Sequence, residues 1–221
     1  MARPRNEELK ERIVLAAWTQ FHERGYDATS YSSIAEACDI SRNLAQYHFP
    51  KKELLAIAFM ERLLAECQGA LGYDDESLVG DYRRVFEVGC CYFEFLLQHG
   101  YRQFLLDIIA SRELTEDILT FNQSWALTHI GALQLDKLSE ENVTRSVVMH
   151  MGGFYELLYH CLRNDEPFDI ADGLRYVMED FVLALGTPKE TARNLFAENP
   201  DVRAAAARIS LDPRQHKNAR Q

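Results

Sequence analysis

The chain has 221 residues, 47% of them hydrophobic, and a formal net charge of −10. This length and apolar content suffice to bury a sizeable core, either in one large domain or in a small domain joined to a larger one. No stretch approaches the roughly 18 apolar residues of a membrane-spanning helix, and no apolar segment of a secretory signal follows the charged first residues. We therefore expect a soluble cytoplasmic protein without a membrane partner.

The charge is unevenly distributed along the chain. Residues 1–53 are neutral, because eight Lys and Arg residues balance eight acidic ones. Residues 203–221 carry a net charge of +4, which leaves −14 on residues 54–202. The overall acidity, which argues against a nucleic-acid partner, therefore belongs to the middle of the chain and not to its N-terminal part.

The cysteine and histidine spacing favours neither a metal site nor a redox site. No CxxC pair or zinc-ligand spacing is present, and His150 and His160 would lie about 15 Å apart along one helix, too far to share an ion. Adjacent helical residues such as Cys90 and Cys91 cannot readily form a disulfide. We expect no metal, no cofactor and buried free thiols at Cys38, Cys67, Cys90, Cys91 and Cys161.

Two helices are predicted before residue 38. Apolar residues recur at helical spacing over residues 6–24, and Gly25 follows as a candidate C-cap. Ser30 to Ser33 offer N-cap hydroxyls, and Ser33 and Glu36 stand at capping-box spacing before a short second helix. The sequence therefore predicts a helix, a turn and a shorter helix.

A third short helix and a longer fourth one follow. After a tight turn at Asp39, Ser41 can cap a helix that runs to about His48 and ends before Pro50. Helix four begins near Lys51 and can bridge two regions of the protein. Its apolar stripe consists of Leu54, Leu55, Ala58, Phe59, Leu63 and Leu64.

The rest of the chain also has a helical pattern. A loop is expected at residues 72–76, and there is no strand alternation or phosphate-binding loop. Further helices are predicted over residues 78–99, 101–113, 115–138, 140–164, 168–186, 188–198 and 200–210. The expected fold is all-α, with a three-helix domain at residues 1–53, a larger helical domain at 54–210 and a disordered tail at 211–221.

Two short helices joined by a tight turn form the unit that places a recognition helix in the major groove of DNA. The segment IVLAAWTQFHERGYDATSYSSIAEACDISRNLAQYHFPKKELL resembles the N-terminal helix-turn-helix domain of the TetR family of transcriptional regulators over about 43 positions. The shared features are Phe21, Gly25-Tyr26, Thr29-Ser30, Ile34-Ala35, Ile40-Ser41, His48-Phe49 and Lys52. The resemblance implies a homodimer that binds operator DNA, usually as a repressor.

The departures from the family pattern lie in the recognition helix. The family usually has Gly, Leu and Tyr where this chain has Asn43, Ala45 and Gln46, so the operator sequence is left open. Asn43 and Gln46 share one helical face, and each amide can pair with adenine. Arg42 can read guanine or phosphate, and Leu44 can either fill the space left by Ala45 or lie against a thymine methyl group.

Backbone contacts complete the expected DNA interface. The resemblance places Tyr47, His48 and Lys52 at phosphates, to which their side chains can donate, and the start of helix two would do likewise. Tyr26 is expected in the core, and Arg3 and Arg5 form either a minor-groove arm or a plain tail. The predicted DNA-contacting residues are Ser30, Tyr31, Ser32, Ser41, Arg42, Asn43, Leu44, Gln46, Tyr47, His48 and Lys52.

The resemblance also implies an effector pocket for a small molecule in the C-terminal domain. A pocket wall is mostly apolar with a few polar tips, although most aromatic residues of this region are expected in the core. The candidate ligand-binding residues are Tyr92, Phe95, Phe104, Trp125, His129, Tyr155 and Tyr159.

The last two long helices pair with those of a second subunit in the family. Here two late helices carry apolar stripes, and Gly152-Gly153 in the first of them requires a close approach, either by a partner helix or by a ligand. The stripes are Val147, Met151, Phe154, Leu158 and Leu162 on one helix, and Ile170, Leu174, Val177, Phe181 and Leu185 on the other.

Two other classes of function compete with a regulator. An enzyme is disfavoured because no nucleophile elbow, metalloprotease helix, P-loop or dinucleotide fingerprint is present. The alternative is a helical interaction protein or scaffold that has lost sequence-specific DNA binding. Helix four is the candidate lever between the two domains, and whether the effector acts as an inducer or a co-repressor stays open.

Overall fold

The computed structural model describes residues 3–78, 81–111, 114–120, 124, 140–184, 186–197, 199 and 201–211. Throughout these residues the regular secondary structure is helical, which confirms the all-α prediction. The helices are α1 (Arg3–Arg24), α2 (Tyr31–Ala37), α3 (Arg42–His48), α4 (Glu53–Leu71), α5 (Asp75–Leu78), α6 (Tyr82–Gln98), α7 (Arg102–Ala110), α8 (residues 114–120), α9 (Glu140–Arg163), α10 (Ile170–Ala184), α11 (Lys189–Leu195) and α12 (Asp201–Arg208).

One predicted loop is a helix in the structure, and one predicted helix lies mostly outside the described residues. Helix α5 was expected as loop, but Asp74 and Ser77 cap it reciprocally: the Asp74 carboxylate accepts from the Ser77 amide at 2.8 Å, and the Ser77 hydroxyl accepts from the Asp74 amide at 3.1 Å. Beyond residue 120, the helix predicted over 115–138 lies outside the described residues except at residue 124, as does the tail after residue 211.

The capping box of α2 lies three residues earlier than predicted. Ser30 is the N-cap, and its hydroxyl accepts from the Ser33 amide at 3.2 Å while the Ser33 hydroxyl accepts from the Ser30 amide at 3.2 Å. The Ser33 hydroxyl also donates to Gln20 Oε1 on α1 at 2.6 Å, which fixes α2 against α1. The Ser33–Glu36 pairing is therefore wrong, whereas the predicted cap of α3 by Ser41 is confirmed.

An aromatic cluster joins the first three helices to the rest of the protein. Phe21 on α1, Phe59 on α4 and Phe104 on α7 are each fully buried. The ring of Phe104 lies 5.2 Å from that of Phe21 and 5.2 Å from that of Phe59, and Tyr101 stacks on Phe59 at 4.9 Å. The helix-turn-helix unit therefore shares one continuous core with the larger helical region.

The apolar stripes of α9 and α10 face inward. Phe154, Leu158, Leu174 and Phe181, for example, are at most 4% exposed within the single chain. These stripes hold α9 and α10 onto each other and onto α6 and α7, so they cannot also form the surface for a second subunit. The prediction that they serve dimerisation is wrong for the described stripe residues; Leu185 lies outside them.

The remaining sequence expectations concern thiols, metals and membranes. All five cysteines are buried free thiols, as predicted. The described His, Cys, Asp and Glu side chains form no group of three or more suited to a metal ion. Among the helices of the described part of the chain, none has the length and apolar character needed to cross a membrane.

A pair of glycine substitutions tests the junction between α1 and α7. Gly25 has a φ of +82°, and a Cβ atom there would lie 2.4 Å from Asp107 Oδ2 and 2.7 Å from Gln103 Cγ. We expect Gly25→Ala to lower the free energy of unfolding by at least about 2 kcal/mol, through backbone strain and overpacking.

Gly69→Ala is the matched control, because a Cβ atom there would have no neighbour within 4 Å among the described residues. Lying inside α4, it should raise the free energy of unfolding by about 0.5–1 kcal/mol. Urea denaturation followed by circular dichroism measures both variants. Equal effects of the two substitutions would contradict the close contact at Gly25.

Candidate nucleic-acid interface and buried cavity

Helix α3 presents a polar outer face and anchors itself through one small residue. Ala45 is fully buried, whereas Tyr47 is 78% exposed and Leu44 is 37% exposed. Arg42 and Asn43 are also exposed. Leu44 therefore points outward and does not fill space beside Ala45. The hydrogen-bonding side chains of Arg42, Asn43 and Tyr47 form a row on the exposed surface of α3.

The other predicted DNA-contacting residues surround this row. Ser32 and Ser41 are exposed, and Gln46 and His48 are partly exposed. The hydroxyls of Ser30 and Ser41 serve as helix caps, and both residues are exposed. The predicted residues thus lie on the surface of α3 and on the two helix starts beside it.

Tyr31 ties α2 to the end of α3. Its hydroxyl donates to the Phe49 carbonyl at 2.5 Å. Burial, together with the negative charge of Glu53, raises the pKa of Tyr31 to about 12, so the phenol stays protonated. This bond joins α2 to the C-terminal end of α3, and it occupies the hydroxyl donor that was predicted to contact a phosphate.

Lys52 is held inside the domain. Its Nζ atom donates to the Tyr26 carbonyl at 2.8 Å and to the Thr29 carbonyl at 3.0 Å, and lies 3.9 Å above the centre of the Tyr26 ring. Burial lowers the pKa of the ammonium, against the opposing effect of nearby carboxylates such as Asp27. Lys52 therefore clamps the turn between α1 and α2 to the start of α4, and Tyr26 is a core residue as expected.

The same turn is bound from the other side by α7. The Asp107 carboxylate, 9% exposed, accepts from the Asp27 backbone amide at 3.0 Å and from Gln103 Nε2 at 2.7 Å. Sequence reasoning missed Asp107, although a lone acid within the apolar run Phe104-Leu105-Leu106-Asp107-Ile108-Ile109 was a usable signal. A carboxylate so placed needs a fixed donor.

A small cavity lies behind this junction, between α4, α6, α7, α8 and α9. Its volume is about 10 Å³, room for about one water molecule. Its lining residues are Met60, Tyr92, Phe93, Leu105, Ile108, Ile109, Thr115, Ile118 and Tyr155. The site is therefore a narrow, mostly apolar space against which α7 packs.

Two of the predicted ligand-binding residues, Tyr92 and Tyr155, line this cavity. Phe95 instead stacks on His99 with ring centres 4.3 Å apart, and Phe104 belongs to the aromatic cluster. Tyr159 is partly exposed beside Arg163, and Trp125 and His129 lie outside the described residues.

Sequence reasoning missed the aliphatic side of the cavity because it searched for aromatic and histidine clusters. Leu105, Ile108 and Ile109 share one side of α7, and their spacing is that of any buried helical face. Only their convergence with Met60 of α4 and Ile118 of α8 makes them a cavity wall. That convergence depends on tertiary packing.

The Lys52 clamp generates a stability prediction. Because Lys52→Met removes two hydrogen bonds from a charged donor, we expect the free energy of unfolding to fall by about 1.5–3 kcal/mol. Lys189→Met on α11 is the control, since the Lys189 side chain is exposed. Urea denaturation of both variants provides the measurement, and equal stability of the two would show that the clamp contributes nothing.

The comparisons with known proteins agree on the N-terminal region. Residues 13–59 match the family model of the bacterial regulatory proteins of the tetR family. YerO of Bacillus subtilis (strain 168), an uncharacterized HTH-type transcriptional regulator, is 32% identical over 73 residues. These residues are 33% of this chain, and the match spans only 25% of the length of YerO.

Solved structures resemble the chain over most of its length. The crystal structure of RolR in complex with its ligand resorcinol has a TM-score of 0.54 and 19% identity, covering 89% of this chain and 96% of RolR. A gamma-butyrolactone receptor, an ArpA-like protein, has a TM-score of 0.38 and 17% identity, covering 92% and 97%. The RolR likeness extends the shared fold beyond the N-terminal match. The N-terminal region of the chain, residues 13–59, is therefore similar to the tetR family of bacterial regulatory proteins.

Proposed function

We propose that this protein is a dimeric transcriptional repressor that binds a palindromic operator through α3 and releases or tightens its hold when a small molecule enters the cavity. The observation that carries the proposal is the exposed row on α3, where Arg42, Asn43 and Tyr47 face solvent while Ala45 anchors the helix. A helix fixed on one side and polar on the other can enter a major groove.

The chemistry of this row suits base reading. The Arg42 guanidinium can bind guanine O6 and N7, and the Asn43 amide can bind adenine N6 and N7. Leu44, exposed beside them, can contact a thymine methyl group. Tyr47 and His48, whose rings meet edge to face at 5.4 Å, can donate to phosphates on the flank of the groove.

The charge distribution supports the same orientation on DNA. Residues 1–53 are neutral, whereas residues 54–202 carry −14. The acidic part is repelled by phosphates, so that the N-terminal domain is the part of the protein that approaches the duplex. Because the N-terminal domain is neutral, its binding to DNA also depends on the specific base contacts that α3 makes.

An operator-binding experiment tests the proposal. Sequences bound by the protein would first be selected from a randomised DNA pool, and we expect a palindromic winner whose affinity falls steeply with salt. Arg42→Ala should weaken binding to that winner by about fivefold to 150-fold, the value of one good base contact.

Arg193→Ala is the matched control, because it removes the same charge from exposed α11 in the C-terminal region. It should leave operator affinity within about twofold of the parent protein. If no sequence is enriched from the pool, or if both arginine variants bind equally, the DNA-reading proposal fails and the alternative of a helical interaction protein gains support.

Dimerisation is proposed on the outer face of α9 and α10. Met149 is 68% exposed, Tyr176 is 73% exposed and Leu157 is 50% exposed. Cβ atoms at Gly152 and Gly153 would meet no described atom within 4 Å, so nothing in the described part of the subunit approaches these glycines. A second subunit supplies the close approach that two glycines in mid-helix would otherwise not require.

Substitutions on this face test the dimer. Met149→Lys should raise the dimer dissociation constant by about tenfold or more, since burying a methionine is worth about 1.5–3 kcal/mol. Gly153→Leu should act likewise by holding the helices apart. The control is Leu54→Lys on α4, where Leu54 is 42% exposed. Sedimentation equilibrium would contradict the proposed face if all three variants dimerise equally.

Two helices connect the cavity to the helix-turn-helix unit. Helix α4 contributes Met60 to the cavity and follows directly on Lys52, and α7 contributes Leu105 and Ile108 to the cavity and Asp107 to the turn at Asp27. A bound molecule that displaces either helix also shifts the position of α3. The effector acts by binding the two resulting states with different affinity.

A further inference from the structure

The chemistry of the cavity wall restricts what the proposed effector can be, and this step rests on the proposed function. No charged side chain lines the cavity among the residues that the structure describes. Its wall is built from aliphatic and aromatic carbon, with hydroxyls at Thr115, Tyr92 and Tyr155. An ion that entered would lose its hydration and gain no counter-charge from these residues.

The hydroxyl of Tyr92 is the unusual polar group in the cavity wall. The residue is 8% exposed, and its hydroxyl is buried without a hydrogen-bond partner among the residues that the structure describes. Burial raises the pKa of this phenol well above its usual value, so it is a neutral donor and acceptor at physiological pH. A buried hydroxyl without a partner costs free energy that a bound polar group can recover.

Thr115 is already committed in part. Its hydroxyl donates to the Ile109 carbonyl at 3.1 Å, which leaves only its lone pairs for a ligand. Tyr92 is therefore the better donor to an incoming group. We infer that the effector is an uncharged, largely apolar molecule bearing a hydroxyl or carbonyl group that hydrogen-bonds to the Tyr92 hydroxyl.

The volume of the cavity adds a further constraint. At about 10 Å³ the space must widen before any organic molecule fits. Widening separates side chains such as Met60, Leu105 and Ile109, whose exposed surfaces the ligand must cover with its own apolar surface. A ligand with a single polar group on an apolar body satisfies both requirements.

Matched ligand triplets test the inference. The probes are toluene, benzyl alcohol and benzoate; naphthalene, naphthol and naphthoate; and biphenyl, phenylphenol and biphenylcarboxylate. Each is titrated into the 221-residue chain at neutral pH by calorimetry. In at least one triplet, we expect the hydroxyl compound to bind about two- to tenfold more tightly than the parent hydrocarbon, and the carboxylate to bind far more weakly than either.

Two tyrosine variants locate the hydrogen bond. Tyr92→Phe should abolish the advantage of the hydroxyl compound while leaving the affinity for the hydrocarbon within about twofold. Tyr82→Phe is the control: Tyr82 lies on the same helix, is also 8% exposed and also has a buried hydroxyl without a described partner, but does not line this cavity. It should leave all affinities unchanged. Both variants keep the ring, so the fold is preserved.

Several results would overturn the inference. These are binding of the carboxylates as tight as that of the neutral compounds, a hydroxyl advantage that survives Tyr92→Phe, and the absence of binding by every probe. Operator affinity of the ligand-free protein is measured in parallel. If operator binding persists while these ligand results fail, the effector assignment alone is wrong; if operator binding fails as well, the proposed function falls with it.

Discussion

The packing of Phe104 against both Phe21 and Phe59 is the interaction on which the arrangement of this protein depends. Each ring comes from a different helix, and each is fully buried. Truncation of one such ring costs about 3–5 kcal/mol, a large part of the stability of a domain. Because α1 carries the helix-turn-helix unit while α4 and α7 belong to the larger helical region, the two parts cannot move independently without disturbing this cluster.

Polar contacts at the edge of the aromatic cluster fix the relative position of the helices that meet there. The turn at residues 25–29 is held by Lys52 through two backbone carbonyls and by Asp107 through one backbone amide. Aromatic packing alone tolerates sliding, but bonds to fixed backbone atoms specify one register. The position of α3 is therefore set by α4 and α7 together, and Gly25 allows α7 to approach this closely.

Sequence patterns predicted the helices and the face of α3, because both depend on local periodicity and on short-range caps. These patterns failed where the structure depends on contacts between residues that are far apart in the sequence. Ser30 to Ser33 all offered cap hydroxyls for α2 and Ser33 was expected to pair with Glu36, but Ser30 is the cap, and the Ser33 hydroxyl donates to Gln20 of α1. Asp107 and its partner Asp27 are 80 residues apart. The sequence shows that the stripes of α9 and α10 are apolar. Only the packed structure shows that they are buried within one subunit.

Under the proposed function, the small cavity connects these contacts to the control of operator binding. A molecule that widens the space between α4 and α7 strains the contacts by which both helices hold the turn, so the open cavity and the unstrained turn are mutually unfavourable. Linkage would then work in both directions: an operator that fixes the position of α3 would also hold α7 in place and resist widening. The proposed apolar effector would gain its binding free energy only by covering surface that widening exposes, and this requirement would allow the small cavity to act as a sensor.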